Sequence, residues 1–263
     1  GGVGGVGGER NEDDGPGAAA VDVSRISDAV PKAEPRSSRG NNPYRVNGVS
    51  YTPLGDARGY RERGVASWYG KKFHGRRTSS GETYDMYAMT AAHRTLPLPS
   101  YVRVRNLENG RAVIVRVNDR GPFLHNRLID LSYAAAARLG VVGNGTGIVE
   151  VEAVMPDDAA QSVAGAPATE LPAPAAVDPV PPRLFLQVGA FAQWENANSL
   201  RARLEAAAVQ PVTVQAAVGT LGDIDGKAVY RVRVGPLVSV ADSDRLTERV
   251  AELGLGRAIV VVE

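Results

Sequence analysis

The 263-residue chain contains no cysteine. That removes a disulfide framework, a thiol nucleophile and any thiolate metal site. It leaves an oxidising compartment open. Aromatic residues make up only 6% of the chain. None forms a stripe beside the arginines, and no nucleic-acid motif is present, so a nucleic-acid partner is not expected. No apolar run reaches the roughly 18–20 residues needed for a membrane-spanning helix. The three histidines, His74, His93 and His125, lack metal-motif spacing, and neither a metal nor a cofactor is expected. The sequence opens on Gly1 without a methionine, and a processed or truncated chain is expected.

Net charge is only +1, but the charges are unevenly spread. Residues 58–152 carry 15 basic and 8 acidic groups, a net of +7, between two segments that are net negative. A basic middle segment suits an anionic polymer. A solvated basic face with no specific partner gives the same count.

Residues 1–57 are rich in Gly, Pro, Ser, Asp and Ala and lack periodicity, so they read as a flexible tether. A second such stretch, 156–182, alternates alanine and proline and reads as a semi-rigid linker. Between them, 58–155 holds short strands. Val102 and Val104 alternate with Arg103 and Arg105, the period of a half-buried strand. Asn109-Gly110 predicts a hairpin turn, and Ala112–Val117 returns antiparallel. One short helix is expected over Tyr133–Leu139, with Ser132 as N-cap and Gly140 as its stop. This pattern predicts a compact all-β barrel. The block 183–263 repeats a strand, a Gly-containing turn and a helix. The repeat predicts an α+β, ferredoxin-like β-α-β, β-α-β domain with two helices on one side of the sheet.

In the barrel block, Glu82 follows Ser79-Ser80-Gly81, His93 comes eleven residues later, and Asp119 ends a strand before Arg120-Gly121-Pro122. A strand-end carboxylate flanked by apolar residues is placed to line a cleft, where burial lets it keep a proton at neutral pH. Taken singly, such residues are more often bland: an Asp119–Arg120 ion pair, a solvated Glu82, a satisfied core His93. Asp130, just ahead of the Ser132 cap, reads as a stabiliser of that helix N-terminus. In the second block, alternation puts Phe185, Gln187, Arg231 and Arg233 on the open sheet face. An aromatic ring, an amide and two guanidinium groups there suit a sugar polymer.

The segments Gly64-Val-Ala-Ser-Trp-Tyr-Gly70, Phe73-His-Gly-Arg-Arg-Thr78, Gly81-Glu82, Ala91-Ala-His-Arg-Thr-Leu-Pro97, Asn118-Asp-Arg-Gly-Pro-Phe123 and Ile129-Asp-Leu-Ser132 together resemble the double-psi β-barrel of the rare lipoprotein A family. Leu186-Gln-Val-Gly-Ala-Phe191 and Tyr230-Arg-Val-Arg-Val-Gly-Pro236 resemble a sporulation-related repeat domain. The resemblance implies a peptidoglycan lytic transglycosylase that leaves 1,6-anhydro-muramoyl ends. Asp119 would be its catalytic residue, serving first as general acid and then as base, with Glu82 and His93 in support. It also implies binding to peptide-free septal glycan, and an envelope location with a lipid anchor on a cysteine that this chain does not contain. A non-catalytic peptidoglycan-binding protein is the alternative.

Overall fold

The computed structural model describes residues 21–124, 126–158, 180–218 and 228–263. Residues 1–20 of the expected tether, 159–179 of the expected linker, and His125 lie outside the described residues.

Six strands close a barrel: β3 (Arg61–Trp68), β4 (Thr90–His93), β5 (Ser100–Asn106), β6 (Ala112–Asp119), β7 (Arg127–Leu131) and β8 (Thr146–Ala153), in the order β3-β7-β4-β6-β5-β8. The β3–β7 and β4–β6 pairs are parallel; the others are antiparallel. Alternation supplies the core. Val102, Val104, Val113, Val115, Val117, Val149 and Val151 are buried inside the barrel, while Arg103 and Arg105 lie on the opposite faces of their strand. Helix α1 (Tyr133–Leu139) begins at Ser132, whose Oγ accepts from the Ala135 amide, and ends at Gly140 with φ +82°. Both caps follow from residue type.

Residues 21–57 differ from the expected tether in their described part. Ile26 and Ala29 pack against the barrel core. Glu34 accepts hydrogen bonds from Tyr101 at 2.6 Å and Arg116 at 2.9 Å. Asn41 bonds both the amide and the carbonyl of Leu98, at 2.9 Å each. Beyond it, β1 (Tyr44–Val46) and β2 (Val49–Tyr51) form a hairpin. The turn residues Asn47 and Gly48 have φ of +50° and +79°, the backbone such a turn requires. Polar side chains satisfying barrel backbone groups fix this segment, and an apolar periodicity is not needed for that.

The second domain has β9 (Leu184–Phe191), α2 (Trp194–Ala206), β10 (Val212–Val218), β11 (Ala228–Leu237), α3 (Val240–Glu252) and β12 (Ile259–Val262). Its antiparallel sheet runs β10-β11-β9-β12. Leu186, Val188, Val232 and Val234 pack on Ala197, Leu200 and Leu204 of α2 and on Leu246 and Val250 of α3. The barrel and this domain meet through Arg127, whose guanidinium bonds both Asp244 oxygens at 2.9 and 2.8 Å. Asn126 adds a 2.7 Å bond to the Ala258 carbonyl.

Candidate active site

Strand β4 lies between β6 and β7, and Ala92 on β4 is in register with Asp119 on one side and Asp130 on the other. In-register residues on neighbouring strands point to the same face. The small Ala92 side chain leaves room above it, and both carboxylates and Ala92 line one cavity of about 190 Å³. Tyr69, Phe73 and Tyr84 form an aromatic wall, with Tyr69 and Tyr84 ring centroids 4.3 Å apart. Phe73 is 37% exposed, with Lys72 Nζ and the Arg76 guanidinium 5.4 and 5.7 Å from its ring centroid. Arg76 and Arg77 add positive charge to the lining.

The two carboxylates are held differently. Asp119 Oδ1 accepts three hydrogen bonds: from the Ser79 amide at 2.8 Å, the Ser79 hydroxyl at 2.7 Å and the Arg120 amide at 2.8 Å. Asp130 accepts one long bond from the Ser67 hydroxyl, at 3.4 Å. Burial pushes the Asp130 carboxyl up to about 7, reinforced by the negative charge of Asp119 and opposed by the Ser67 bond. A carboxyl so placed is partly protonated near neutral pH.

The sequence pattern gives the cap to Ser132, which makes it, and gives Asp130 only to the neighbourhood of that helix end, whereas its carboxyl lines the cavity. The available signal was the strand pattern Ile129-Asp130-Leu131, in which both neighbours are fully buried and the aspartate is the single polar residue of its face.

Asp119 stands in the cavity, whereas Glu82 and His93 do not line it. Burial alone would raise the Glu82 carboxyl, but it is held below the ordinary carboxylate range by Arg116, 2.7 Å from both its oxygens, and by the Asn118 amide at 2.9 Å. Through Asn118 it braces the strand end that presents Asp119. His93 is 3% exposed. Its Nδ1 accepts the Thr95 and Leu96 amides at 3.1 and 3.0 Å. The ring proton therefore sits on Nε2, facing the Tyr60 hydroxyl at 2.8 Å. Burial, then the charges of Arg94 and Arg120, push its pKa down to about 3. His93 is a neutral ring that shapes the loop after β4. Arg120 ties this loop to the N-terminal segment, donating to the carbonyls of His93, Leu96 and Gly40.

On the second domain, register confirms that Phe185 and Gln187 share a face with Arg231 and Arg233, away from the helices. Phe185, at 4% exposure, and Arg233, at 7%, are buried on that face and not open to solvent. Arg233 bonds Glu263 at 2.6 Å, and Gln215 and Gln187 at 3.3 and 3.4 Å. The alternation is as expected, but Glu263 occupies part of the surface.

Residues 61–153 match a family model described as lytic transglycolase, and residues 181–261 match the SPOR domain. An endolytic peptidoglycan transglycosylase RlpA from Pseudomonas aeruginosa strain UCBPP-PA14 is 43% identical, over 92% of this chain and 82% of its own. Proteins of the same name from Vibrio cholerae and Neisseria meningitidis serogroup B are each 56% identical, over 52% and 51% of this chain and 52% and 56% of their own.

Proposed function

Because the chain belongs to the rare lipoprotein A (RlpA) family of lytic transglycosylases, we propose that it cuts peptidoglycan glycan strands internally at the Asp119–Asp130 cleft. The observation that supports this most is the pairing of two carboxyls across Ala92, one with three donors on a single oxygen and one whose pKa is raised by burial. Two carboxyls in settings this different divide acid and base roles.

Asp130, protonated, gives its proton to the glycosidic oxygen as the bond to the muramoyl C1 breaks. Positive charge develops at C1, and the Asp119 carboxylate stabilises it. The sugar's own 6-hydroxyl closes on C1, and Asp119 takes the proton that this hydroxyl releases. One proton leaves Asp130 and one arrives on Asp119, so return of a proton between them resets the site, and no water enters the product. Glu82 and His93 act as positioning residues, through Asn118 and the 93–96 loop. The lining of Tyr69 and Tyr84, with both hydroxyls shifted up by burial, excludes water and keeps neutral phenols beside the two carboxyls.

Preference for peptide-free strands follows from charge. Removing the stem peptide leaves a free lactyl carboxylate on the muramoyl sugar, and Arg76 and Arg77 at the cavity are the cations to receive it. The second domain, through the face of Phe185, Gln187, Arg231 and Arg233, would hold such glycan at the division septum of the cell envelope.

Digestion of purified sacculi in heavy-oxygen water tests the chemistry. Mass spectrometry should find 1,6-anhydro ends free of heavy oxygen. Heavy oxygen at the new reducing end would mean hydrolysis and would overturn the proposal.

A further inference from the structure

We propose that the N-terminal hairpin β1–β2 builds a second sugar-binding subsite that continues the catalytic cleft and holds an N-acetylhexosamine of the same strand. This rests on the reading of the Asp119–Asp130 cleft as the point of cleavage. The hairpin precedes residues 61–153, the barrel segment matched as lytic transglycolase.

The first observation is a cavity of about 350 Å³ between the hairpin and the barrel, a size that suits a small ligand. Tyr44 and Val46 come from the hairpin, Asn42 from the approach to it, and Ser79, Arg120 and Phe123 from the barrel. The second observation is its continuity with the cleft. Arg120 lines both cavities. Ser79 lines the hairpin cavity and places its amide and hydroxyl on Asp119 Oδ1. The groove thus begins one side chain away from the catalytic carboxylate.

The third observation is the aromatic construction. Tyr44 and Tyr51 stack at 5.1 Å, and Phe123 lies 6.0 and 5.5 Å from them. A 2.7 Å bond from the Tyr44 hydroxyl to the Arg94 carbonyl fixes the cluster to the barrel. Aromatic faces receive the apolar face of a pyranose, and Asn42 offers an amide to an acetamido group. The need for such a subsite comes from the reaction. An internal bond in a linear polymer has sugars on both sides, so a cleft that cuts internally must grip the strand on both sides of the scissile oxygen. Phe73 serves the sugars next to the cut, and the hairpin groove serves a sugar beyond the two nearest the cut on the other side, which a tetrasaccharide cut at its middle bond does not fill. Contacts to remote sugars add binding energy shared by the bound substrate and the transition state, which raises kcat/KM through KM.

The test compares tetrasaccharide fragments with long peptide-free strands, using the full chain. Tyr44→Ala and Phe123→Ala should lower kcat/KM on long strands by about tenfold, mainly through KM. Their loss on tetrasaccharides should be at least about threefold smaller. Val46→Trp removes no hydrogen bond or stacking contact and fills the cavity. It should reproduce the length-dependent loss and carries the test if either aromatic truncation unfolds. Tyr44→Phe keeps the ring and should restore most of the long-strand preference. Equal losses on both lengths, or none, in Val46→Trp while Asp119→Asn is inactive would remove the subsite and leave the cleft in place. Full activity of Asp119→Asn on both substrates would instead remove the cleft.

Discussion

The cleft of the barrel and the open sheet of the second domain both gather carboxylates, guanidinium groups and aromatic rings, and they settle them in opposite ways. On the sheet, Arg233 is matched by Glu263 and two glutamine side chains, so charge and hydrogen-bonding capacity are met inside the domain. In the cleft, Asp130 has one 3.4 Å bond from Ser67 and is kept out of water. A buried carboxyl left with so little help costs stability unless it holds a proton. A proton held on Asp130 offsets part of that cost. On the sheet the charge of Arg233 is met by Glu263, and a ligand must displace that partner to bind Arg233 strongly.

The sharpest way to break this contrast is to remove the proton donor. Asp130→Asn keeps the size of the side chain and should lower turnover on sacculi by ~10²–10⁴-fold, the usual worth of a general acid. Asp119→Asn should do as much, because the remaining acid then faces no carboxylate. Activity of Asp130→Asn within about twofold of the parent would return the acid role to Asp119 alone.

The next effect is in the pH dependence. Asp130 acts only when protonated, so the rate should fall as pH rises through about 7. Stability should follow the same direction. The folded-state pKa is raised above the ordinary carboxyl value, so the native state binds more protons between about 4 and 7, and stability is lost as pH rises through 7. Asp130→Asn should therefore gain on the order of 2–4 kcal/mol relative to the parent at pH 8 compared with pH 4. Parallel denaturant titrations that show no pH-dependent difference would mean that Asp130 is not desolvated.

A smaller effect is expected at His93, where a pH role and a structural role separate. Its pKa lies near 3, so the ring stays neutral through the working range. His93→Phe should leave the Thr95 and Leu96 amides without their acceptor and cost about 1–3 kcal/mol of stability. Among folded molecules the midpoint of the pH–rate profile should stay where it was. A shift of that midpoint would bring His93 into the proton chemistry.

Strand period, turn residues and helix caps made the barrel's valine core, the Asn109-Gly110 turn, α1 and the two-helix sheet legible in the sequence. Family motifs brought in Asp119. The pairing of Asp119 with Asp130 was not legible, because it depends on a parallel β4–β6 ladder and an antiparallel β4–β7 ladder meeting at Ala92. No local period encodes which strands adjoin. Glu82 and His93 were legible as residues near the site, but their distance from the cavity follows from Arg116, Asn118 and Tyr60, which no spacing ties to them. The hairpin has a local signal in Asn47-Gly48 between Val46 and Val49, but its seat on the barrel is not legible, because long-range polar bonds, such as those of Asn41 and Tyr44 to the 94–98 loop, leave no hydrophobic pattern.

The smallest effect concerns the open sheet. Phe185 is 4% exposed, with its ring against Gly235 and the Arg183 guanidinium 5.4 Å above it. Truncating it would open a core-like cavity costing about 3–5 kcal/mol, so lost glycan binding by Phe185→Ala would confound folding with recognition. Gln187 and Arg231 are only half-buried on the same face, and their removal leaves the packing in place. Gln187→Ala with Arg231→Ala should weaken binding to peptide-free glycan by roughly three- to tenfold, as expected for the loss of one or two partly solvated hydrogen bonds. Glu263→Gln should act in the opposite direction. It releases Arg233 from its internal ion pair, and an arginine so released can bond a sugar hydroxyl or a lactyl carboxylate. Co-sedimentation with glycan from amidase-treated sacculi would measure both. Tighter binding by Glu263→Gln and weaker binding by the double variant would establish the face as a glycan surface with Arg233 held by Glu263. Unchanged binding in both would place glycan recognition elsewhere on the domain.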